Sequence, residues 1–431
     1  MKKNNQLLAN PPIELVEYGD KKKIELTVLE TEIFEKKFVY YKENRKFSKY
    51  LTLTYERDGE RINSFVRAKN CAGILTLGEH IIKISPKIPN ANYYSMLKYA
   101  LELGKVLKDP IPIKKDSDFW QHLVWFFLKS LDFLFKRNLY SNYVEIEENL
   151  NLVRGKIDFT QHLLHNFNRP DKIYCRFTEF TMNVLENQLI KTTLHKLIYG
   201  FQLVPFPVDI KKPLRRFYDE LGFVDLILTN PKLSFNSIIY TRLNNHYKEI
   251  LQICELILRE QSSELAKRDS KSGFELIVDT DELFQNFING MLNQRNRKEK
   301  LGLKIIYQKG VHWDELEKKK PHIPDFRIKK GQNELILDTK YYEEKETKEE
   351  ADPIIAGRSI PIHNIAQMVF YSNSTKIKKL CLLYPGKHSP DKIEIKNGIE
   401  LHVLHIDLEA KTTDEFEKNC DELKDQLLNL I

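Results

Sequence analysis

Residues 323–342 constrain this chain more than any other stretch. They read Ile-Pro-Asp-Phe-Arg-Ile, then Lys-Lys-Gly-Gln-Asn, then Glu-Leu-Ile-Leu-Asp-Thr-Lys-Tyr-Tyr. Two strand-like runs flank a polar turn with Gly331 and Asn333, which predicts a hairpin. Side chains alternate along a strand, so Asp338 and Lys340 share a face and Thr339 takes the other. With residues 330–333 as a four-residue loop, Asp325 lies opposite Asp338. Directly opposed residues have Cβ atoms about 4.5–5.5 Å apart. Two carboxylates at that spacing repel unless a divalent cation lies between them. Mg²⁺ suits the position, because it is a hard ion that takes one or two carboxylates and keeps several waters. The Lys340 ammonium is then placed to orient or help deprotonate a water. From the residues alone two readings stand. One is a charged surface strand, since 30% of the chain is charged. The other is a site for metal-assisted phosphodiester hydrolysis.

Composition narrows the setting. A chain of 431 residues favours two or three domains. Hydrophobic residues make up 42%, with 24 Phe and 20 Tyr, enough for real cores. The net charge of +7, from 68 basic and 61 acidic residues, permits a nucleic-acid partner without arguing for one. The five cysteines are scattered, which speaks against a structural zinc site and for a reducing compartment. The basic start of the chain has no apolar segment after it, and no run approaches the roughly 20 apolar residues of a membrane helix. A soluble, cytoplasmic protein is expected.

The expected fold class is α+β multidomain. Residues 1–92 read as a β-rich domain, with strands over 24–28, 51–55 and 63–68, and a clear hairpin over 71–77 and 80–85. Residues 93–265 read as a mainly helical domain, with helices over 93–107, 118–137, 183–198 and 244–258 and a short extended patch over 144–177. Pro205, Pro207 and Pro213 mark a loop. The basic residues Arg169, Lys172, Arg176, Lys211, Lys212, Arg215 and Arg216 read first as solvated surface and second as phosphate contacts. Arg154-Gly155-Lys156 lacks the remaining glycines and the Ser/Thr of a nucleotide-binding loop, which excludes an NTPase site here. The apolar-poor stretch 261–273 reads as a linker. Residues 266–431 then alternate helix and strand, with a helix over 281–295, a strand over 303–308, the hairpin, a helix from Ile362, strands over 379–384 and 399–406, and a last helix over 412–430. Gln367 and Tyr371, one turn apart, share a face of the Ile362 helix.

Pro324-Asp325, Asp338-Thr339-Lys340 and Gln367-x-x-x-Tyr371 together resemble the PD-(D/E)xK nuclease superfamily. The resemblance implies a restriction-endonuclease-like α/β domain. Asp325 and Asp338 would hold Mg²⁺ (or Mn²⁺), the Thr339 carbonyl would complete the shell, and Lys340 would assist the attacking water. Gln367 and Tyr371 would lie beside the site. Further stretches, Ile84-Ser85-Pro86-Lys87-Ile88, Arg154-Gly155-Lys156-Ile157-Asp158, Cys175-Arg176-Phe177-Thr178-Glu179 and Asp281-Glu282-Leu283-Phe284, resemble the McrC family over nearly the whole chain. That family is the nuclease subunit of modified-cytosine-dependent (type IV) restriction systems. The resemblance implies a metal-dependent deoxyribonuclease acting on double-stranded DNA that carries modified cytosine. It also implies a partner, an McrB-like AAA+ GTPase hexamer, docked through the N-terminal part. One departure stands out. The family places Glu directly after the Leu-Phe pair, where this chain has Gln285, with Glu282 three residues earlier. Two other functions compete: a non-catalytic activator with a degenerate nuclease fold, and a RecB-like repair exonuclease.

Overall fold

Alternating apolar and polar side chains shape the first part of the chain into strands, as expected. The computed structural model describes residues 11–42, 45–48, 50–58, 61–77, 80–101, 119–200, 206–227, 231–258, 275–308, 323–341, 354–355, 358–395 and 397–431. The expected linker at 261–273, the acidic and basic run 343–352 and Tyr342 lie outside them. The N-terminal elements are β1 (Ile13–Val16), β2 (Lys22–Ile24), α1 (Val28–Phe38), β3 (Val39–Lys42), β4 (Arg45–Ser48), β5 (Leu51–Asp58), β6 (Arg61–Ala68), β7 (Cys71–Leu77), β8 (His80–Ser85) and α2 (Asn90–Ala100). The expected β7–β8 hairpin forms, pairing Leu77 with His80. The expected strands over 51–55 and 63–68 form within β5 and β6, which pair with each other.

The strand expected over 24–28 is corrected. It stops at Ile24, and Thr27 opens α1 instead. The Thr27 backbone N–H donates to Glu30 Oε2 (2.8 Å), and the Glu30 N–H donates back to Thr27 Oγ1 (3.2 Å). This reciprocal pair is a capping box, and it satisfies two donors that a strand would have left to the ladder.

Residues 120–276 form one compact unit. It holds α3 (Phe119–Phe135, from Trp120 on), β9 (Asn142–Leu150), β10 (Lys156–Ile157), α4 (Phe159–Asn166), β11 (Ile173–Thr181), α5 (Leu185–Tyr199), α6 (Val208–Glu220), α7 (Pro231–Asn236) and α8 (Lys248–Leu258). The extended patch is an antiparallel sheet in the order β10-β11-β9. Arg154-Gly155-Lys156 is a tight turn in it: Gly155 takes φ +68, and a Cβ there would lie 2.5 Å from the Arg176 carbonyl oxygen. Arg176 pairs with Glu147 (2.8 Å) and Asp158 (3.0 Å), so its charge is satisfied at the surface. Pro213, expected in a loop, lies inside α6. Burial of Ile210, Leu214 and Phe217, at helical spacing, outweighs the one backbone bond that proline removes.

Residues 1–119 and 277–431 form the other compact unit. Compactness therefore groups the β-rich N-terminal segment with the C-terminal one, across the expected divisions after 92 and 265. The C-terminal elements are β12 (Glu275–Asp279), α9 (Thr280–Glu299), β13 (Lys304–Tyr307), β14 (Phe326–Lys330), β15 (Asn333–Thr339), β16 (Ile354–Ile355), β17 (Arg358–Ser359), α10 (Ile362–Thr375), β18 (Lys379–Pro385), β19 (Asp391–Ile395), β20 (Ile399–Ile406) and α11 (Thr413–Leu430). The grouping has a topological cause. Strand β12 joins the N-terminal sheet in the order β1-β8-β7-β12, and α9 packs on α2.

A six-stranded mixed sheet, β13-β14-β15-β18-β20-β19, carries the rest. Strands β15, β18 and β20 run parallel, flanked by antiparallel β14 and β19. One face buries Ile336, Leu380, Leu382, Leu401 and Val403 against Met368 and Tyr371 of α10. The alternate residues Leu335, Leu337, Cys381 and Leu383 are also buried. Burial on both faces explains why β15 and β18 read as continuous apolar runs. No helix among the described residues is long and apolar enough to cross a membrane.

Candidate functional site

The hairpin β14–β15 forms in the expected register, from Phe326 opposite Leu337 to Lys330 opposite Asn333. Asp325, one residue before β14, thereby faces Asp338. The expected four-residue loop is shorter: Lys330 and Asn333 pair, leaving Gly331 and Gln332 as the turn. Gly331 takes φ +59, which a type II′ hairpin turn requires at its first central position.

The carboxylates are buried. Asp325 is 8% exposed and Asp338 2%. Asp325 Oδ2 accepts from the Thr339 backbone N–H (2.7 Å) and the Thr339 hydroxyl (2.6 Å). Burial, and then the Asp338 charge, push the Asp325 carboxyl well above the usual carboxylate range, against the pull of the Thr339 donors and Lys340. Lys340 Nζ lies 2.6 Å from Asp338 Oδ2, as expected of residues two apart on one strand face. The same ammonium donates to Gln367 Oε1 (3.0 Å). Gln367 Nε2 donates to the Tyr371 hydroxyl (2.7 Å), which donates to the Ile323 carbonyl (3.0 Å). A continuous polar chain thus runs from Asp338 to the backbone just ahead of Asp325. Burial, with Asp338 and Asp325 nearby, raises the Tyr371 hydroxyl, so it stays protonated and able to donate.

The helix α9 stands beside this chain, begun by an N-cap in which Asp279 accepts from the Glu282 N–H. Gln285 Oε1 accepts from Gln308 Nε2 (3.0 Å), and the Gln308 N–H donates to the Asp325 carbonyl (2.9 Å). Tyr307 donates to Asn286 (2.8 Å). Burial, then the charges of Asp325 and Glu282, raise its hydroxyl, which places both acids in its surroundings. The structure therefore brings together Asp325, Asp338, Thr339, Lys340, Gln367 and Tyr371. Sequence reasoning missed Tyr307 and Gln308. Their only signal was their place at the end of the expected strand over 303–308.

The donor set fits a hard divalent cation. Two buried carboxylates face each other, and burial, with the Asp338 charge, disfavours Asp325 as an anion. Among the described residues no group of three or more His, Cys, Asp or Glu side chains forms a metal site. A pair of carboxylates suits Mg²⁺, which fills its remaining positions with water, and does not suit zinc.

Fold and site together define an α+β protein with a buried acidic pair and a lysine at the end of a central strand. The family described as "McrBC 5-methylcytosine restriction system component" matches residues 66–385. The chain belongs to that family. Among solved structures, it is similar to a chain of the refined half-complex from a tetradecameric assembly of Thermococcus gammatolerans McrB AAA+ hexamers with bound McrC. The identity is 16%, with 98% of this chain and 100% of that chain covered at a TM-score of 0.57, a likeness of fold. A chain of the cryo-EM structure of the Thermococcus gammatolerans McrBC complex matches at 17% identity and a TM-score of 0.40, with 66% and 88% covered. No curated protein sequence matches the chain.

Proposed function

We propose that this chain is the Mg²⁺-dependent DNA endonuclease subunit of a modification-dependent restriction system, with a PD-(D/E)xK nuclease domain built on the six-stranded sheet. The observation that carries the reading is the Asp325, Asp338 and Lys340 constellation, locked by Thr339 on one side and Gln367 and Tyr371 on the other. Asp325 and Asp338 hold the cation, and the Thr339 carbonyl contributes to its shell. Bound there, Mg²⁺ (or Mn²⁺) supplies Lewis-acid polarisation and charge neutralisation at the scissile phosphate. Lys340 orients the attacking water and stabilises negative charge developing on the phosphate oxygens. Gln367 fixes the Lys340 ammonium, and Tyr371 fixes Gln367 to the Ile323 carbonyl. The substrate is double-stranded DNA carrying modified cytosine. A McrB-type AAA+ GTPase hexamer, the kind of partner named in the similar solved assembly, supplies recognition and translocation. Family membership supports the restriction system, and the constellation supports the chemistry.

A second reading rests on Gln285. Its amide stands where the family resemblance implies a carboxylate and is engaged by Gln308. A non-catalytic activator of the GTPase would tolerate that change. One experiment separates the two. Purified chain and AAA+ partner are given modified closed circular plasmid with Mg²⁺ or Mn²⁺. Asp338→Ala is expected to abolish cleavage while GTPase stimulation persists. Full cleavage by Asp338→Ala ends the nuclease assignment at this site. Absence of cleavage by the unaltered chain with either metal favours the activator.

A further inference from the structure

The Lys340 ammonium can act only if the backbone at the end of β15 is fixed, and Thr339 is the last residue of that strand. The Lys340 N–H donates to the Leu383 carbonyl (2.9 Å), which ties the residue after β15 to β18. The next residue, Tyr341, is 2% exposed and points to the opposite face from Lys340. Its ring packs on Phe284 of α9 (centroids 5.4 Å apart). Its carbonyl accepts from Lys87 Nζ (3.4 Å), and the same ammonium lies over the Tyr341 ring (4.5 Å) and the Tyr18 ring (5.0 Å). Lys87 follows β8, distant in sequence, so its side chain carries the N-terminal sheet to the end of the candidate catalytic strand.

Lys87 is itself anchored. Its backbone N–H donates to Glu17 Oε2 (3.3 Å), and Glu17 Oε1 accepts from the hydroxyl of Thr280, the first residue of α9. The Glu17 N–H donates to the Ser85 carbonyl (2.9 Å), extending the parallel pairing of β1 with β8. One buried carboxylate and one ammonium thus join the N-terminal sheet, the start of α9 and the end of β15.

We propose that Lys87 is a positioning residue for phosphodiester cleavage. By holding both the carbonyl and the ring of Tyr341, it fixes the backbone so that the Lys340 ammonium stays between Asp338 and Gln367. The inference rests on the nuclease reading given above. Without the Lys87 ammonium, Tyr341 keeps its packing on Phe284 but loses the anchor on its carbonyl. The Lys340 side chain then samples positions away from Asp338. A displacement of about 1 Å at such a group costs on the order of 100-fold in rate.

The test compares four proteins with the AAA+ partner on modified closed circular plasmid: the unaltered chain, Lys87→Met, Lys87→Arg and Asp338→Ala. Lys87→Met is expected to slow cleavage at saturating DNA by about 10- to 100-fold, with KM for DNA and GTPase stimulation unchanged. Lys87→Arg keeps a cation over the rings and a donor to the carbonyl, and is expected to recover most of the rate. If Lys87→Met does not fold, Lys87→Ala, which likewise removes both the charge and the donor, is read in its place. Unaltered cleavage by Lys87→Met, with Asp338→Ala inactive, overturns the inference alone. Cleavage and GTPase stimulation falling together also overturn it, since Lys87 would then serve the partner contact. Full cleavage by Asp338→Ala removes the nuclease reading itself, a separate outcome.

Discussion

Thr339 gives both of its donors to one oxygen of Asp325, the backbone N–H at 2.7 Å and the hydroxyl at 2.6 Å. The strand that carries Asp338 therefore also holds the opposing carboxylate. Hydrogen bonds to charged groups contribute roughly 1.5–3 kcal/mol. Thr339→Val keeps the shape and the N–H but removes the hydroxyl. It is expected to lower stability by that amount in urea unfolding, whereas Thr339→Ser stays near the unaltered protein. Both Thr339 donors lower the Asp325 pKa. Losing one raises it further, so the acid limb of the cleavage profile should move to higher pH in Thr339→Val. Equal profiles for the Val and Ser variants would show that the hydroxyl does not tune Asp325.

Two buried carboxylates facing each other are costly without a cation, so metal should stabilise the fold. A ligand that binds only the native state at 100 times its dissociation constant adds about 2.7 kcal/mol. Melting curves in EDTA and then in Mg²⁺ should show a rise for the unaltered chain. Asp325→Asn and Asp338→Asn should lose most of it. An equal Mg²⁺-dependent rise in both variants would place the cation elsewhere.

Glu17 is 1% exposed, and burial pushes its carboxyl up to about 7 from an ordinary 4.5. The folded pKa lies above the unfolded one, so the fold favours the protonated acid. This contribution is fully present below about pH 4.5 and is lost as pH rises through about 7. Across that window it amounts to something on the order of 3 kcal/mol. Glu17→Gln removes the titration, and its stability curve should be flatter over the same range. The amide turns its NH₂ toward one of the two donors, Thr280 or Lys87, which adds a pH-independent cost. The slope is therefore the quantity to read, by chemical denaturation at several pH values. Identical slopes would mean that Glu17 titrates normally in the fold.

The candidate site was legible in the sequence where chemistry and local geometry coincide. Asp338 and Lys340 share a face because they are two apart, and the hairpin turn sets Asp325 opposite Asp338. Gln367 and Tyr371 meet because they are one helical turn apart. Thr339 was read through its carbonyl, and the two donors it gives Asp325 were not read, because they depend on how the chain bends before β14. Many elements of the fold were legible, while the contacts that join distant elements were not. The addition of β12 to β7 and the reach of Lys87 to Tyr341 are long-range contacts with no periodic signature. At Thr27 a legible signal was outvoted: Thr-Val-Leu-Glu is a capping box, yet the alternation of residues 24–28 suggested a strand.

Gly290 shows how a contact invisible in the sequence reverses a local preference. It lies mid-helix in α9, where Ala would be favoured by about 1 kcal/mol. A Cβ there would lie 2.1 Å from the Tyr99 carbonyl oxygen of α2, a backbone atom. Tyr99 cannot easily retreat, because its hydroxyl accepts from Arg295 (2.8 Å) and its ring packs edge-on to Phe287 (5.7 Å). Overpacking of this kind costs typically about 1–3 kcal/mol. The contact with a pinned backbone puts the cost at the upper end, so the clash outweighs the gain in helix propensity. Gly290→Ala is expected to be net destabilised in urea unfolding. It should also lower cleavage, because α9 carries Glu282, Gln285 and the Phe284 ring under Tyr341. A Gly290→Ala protein as stable as the unaltered chain would mean that α2 and α9 can separate without cost.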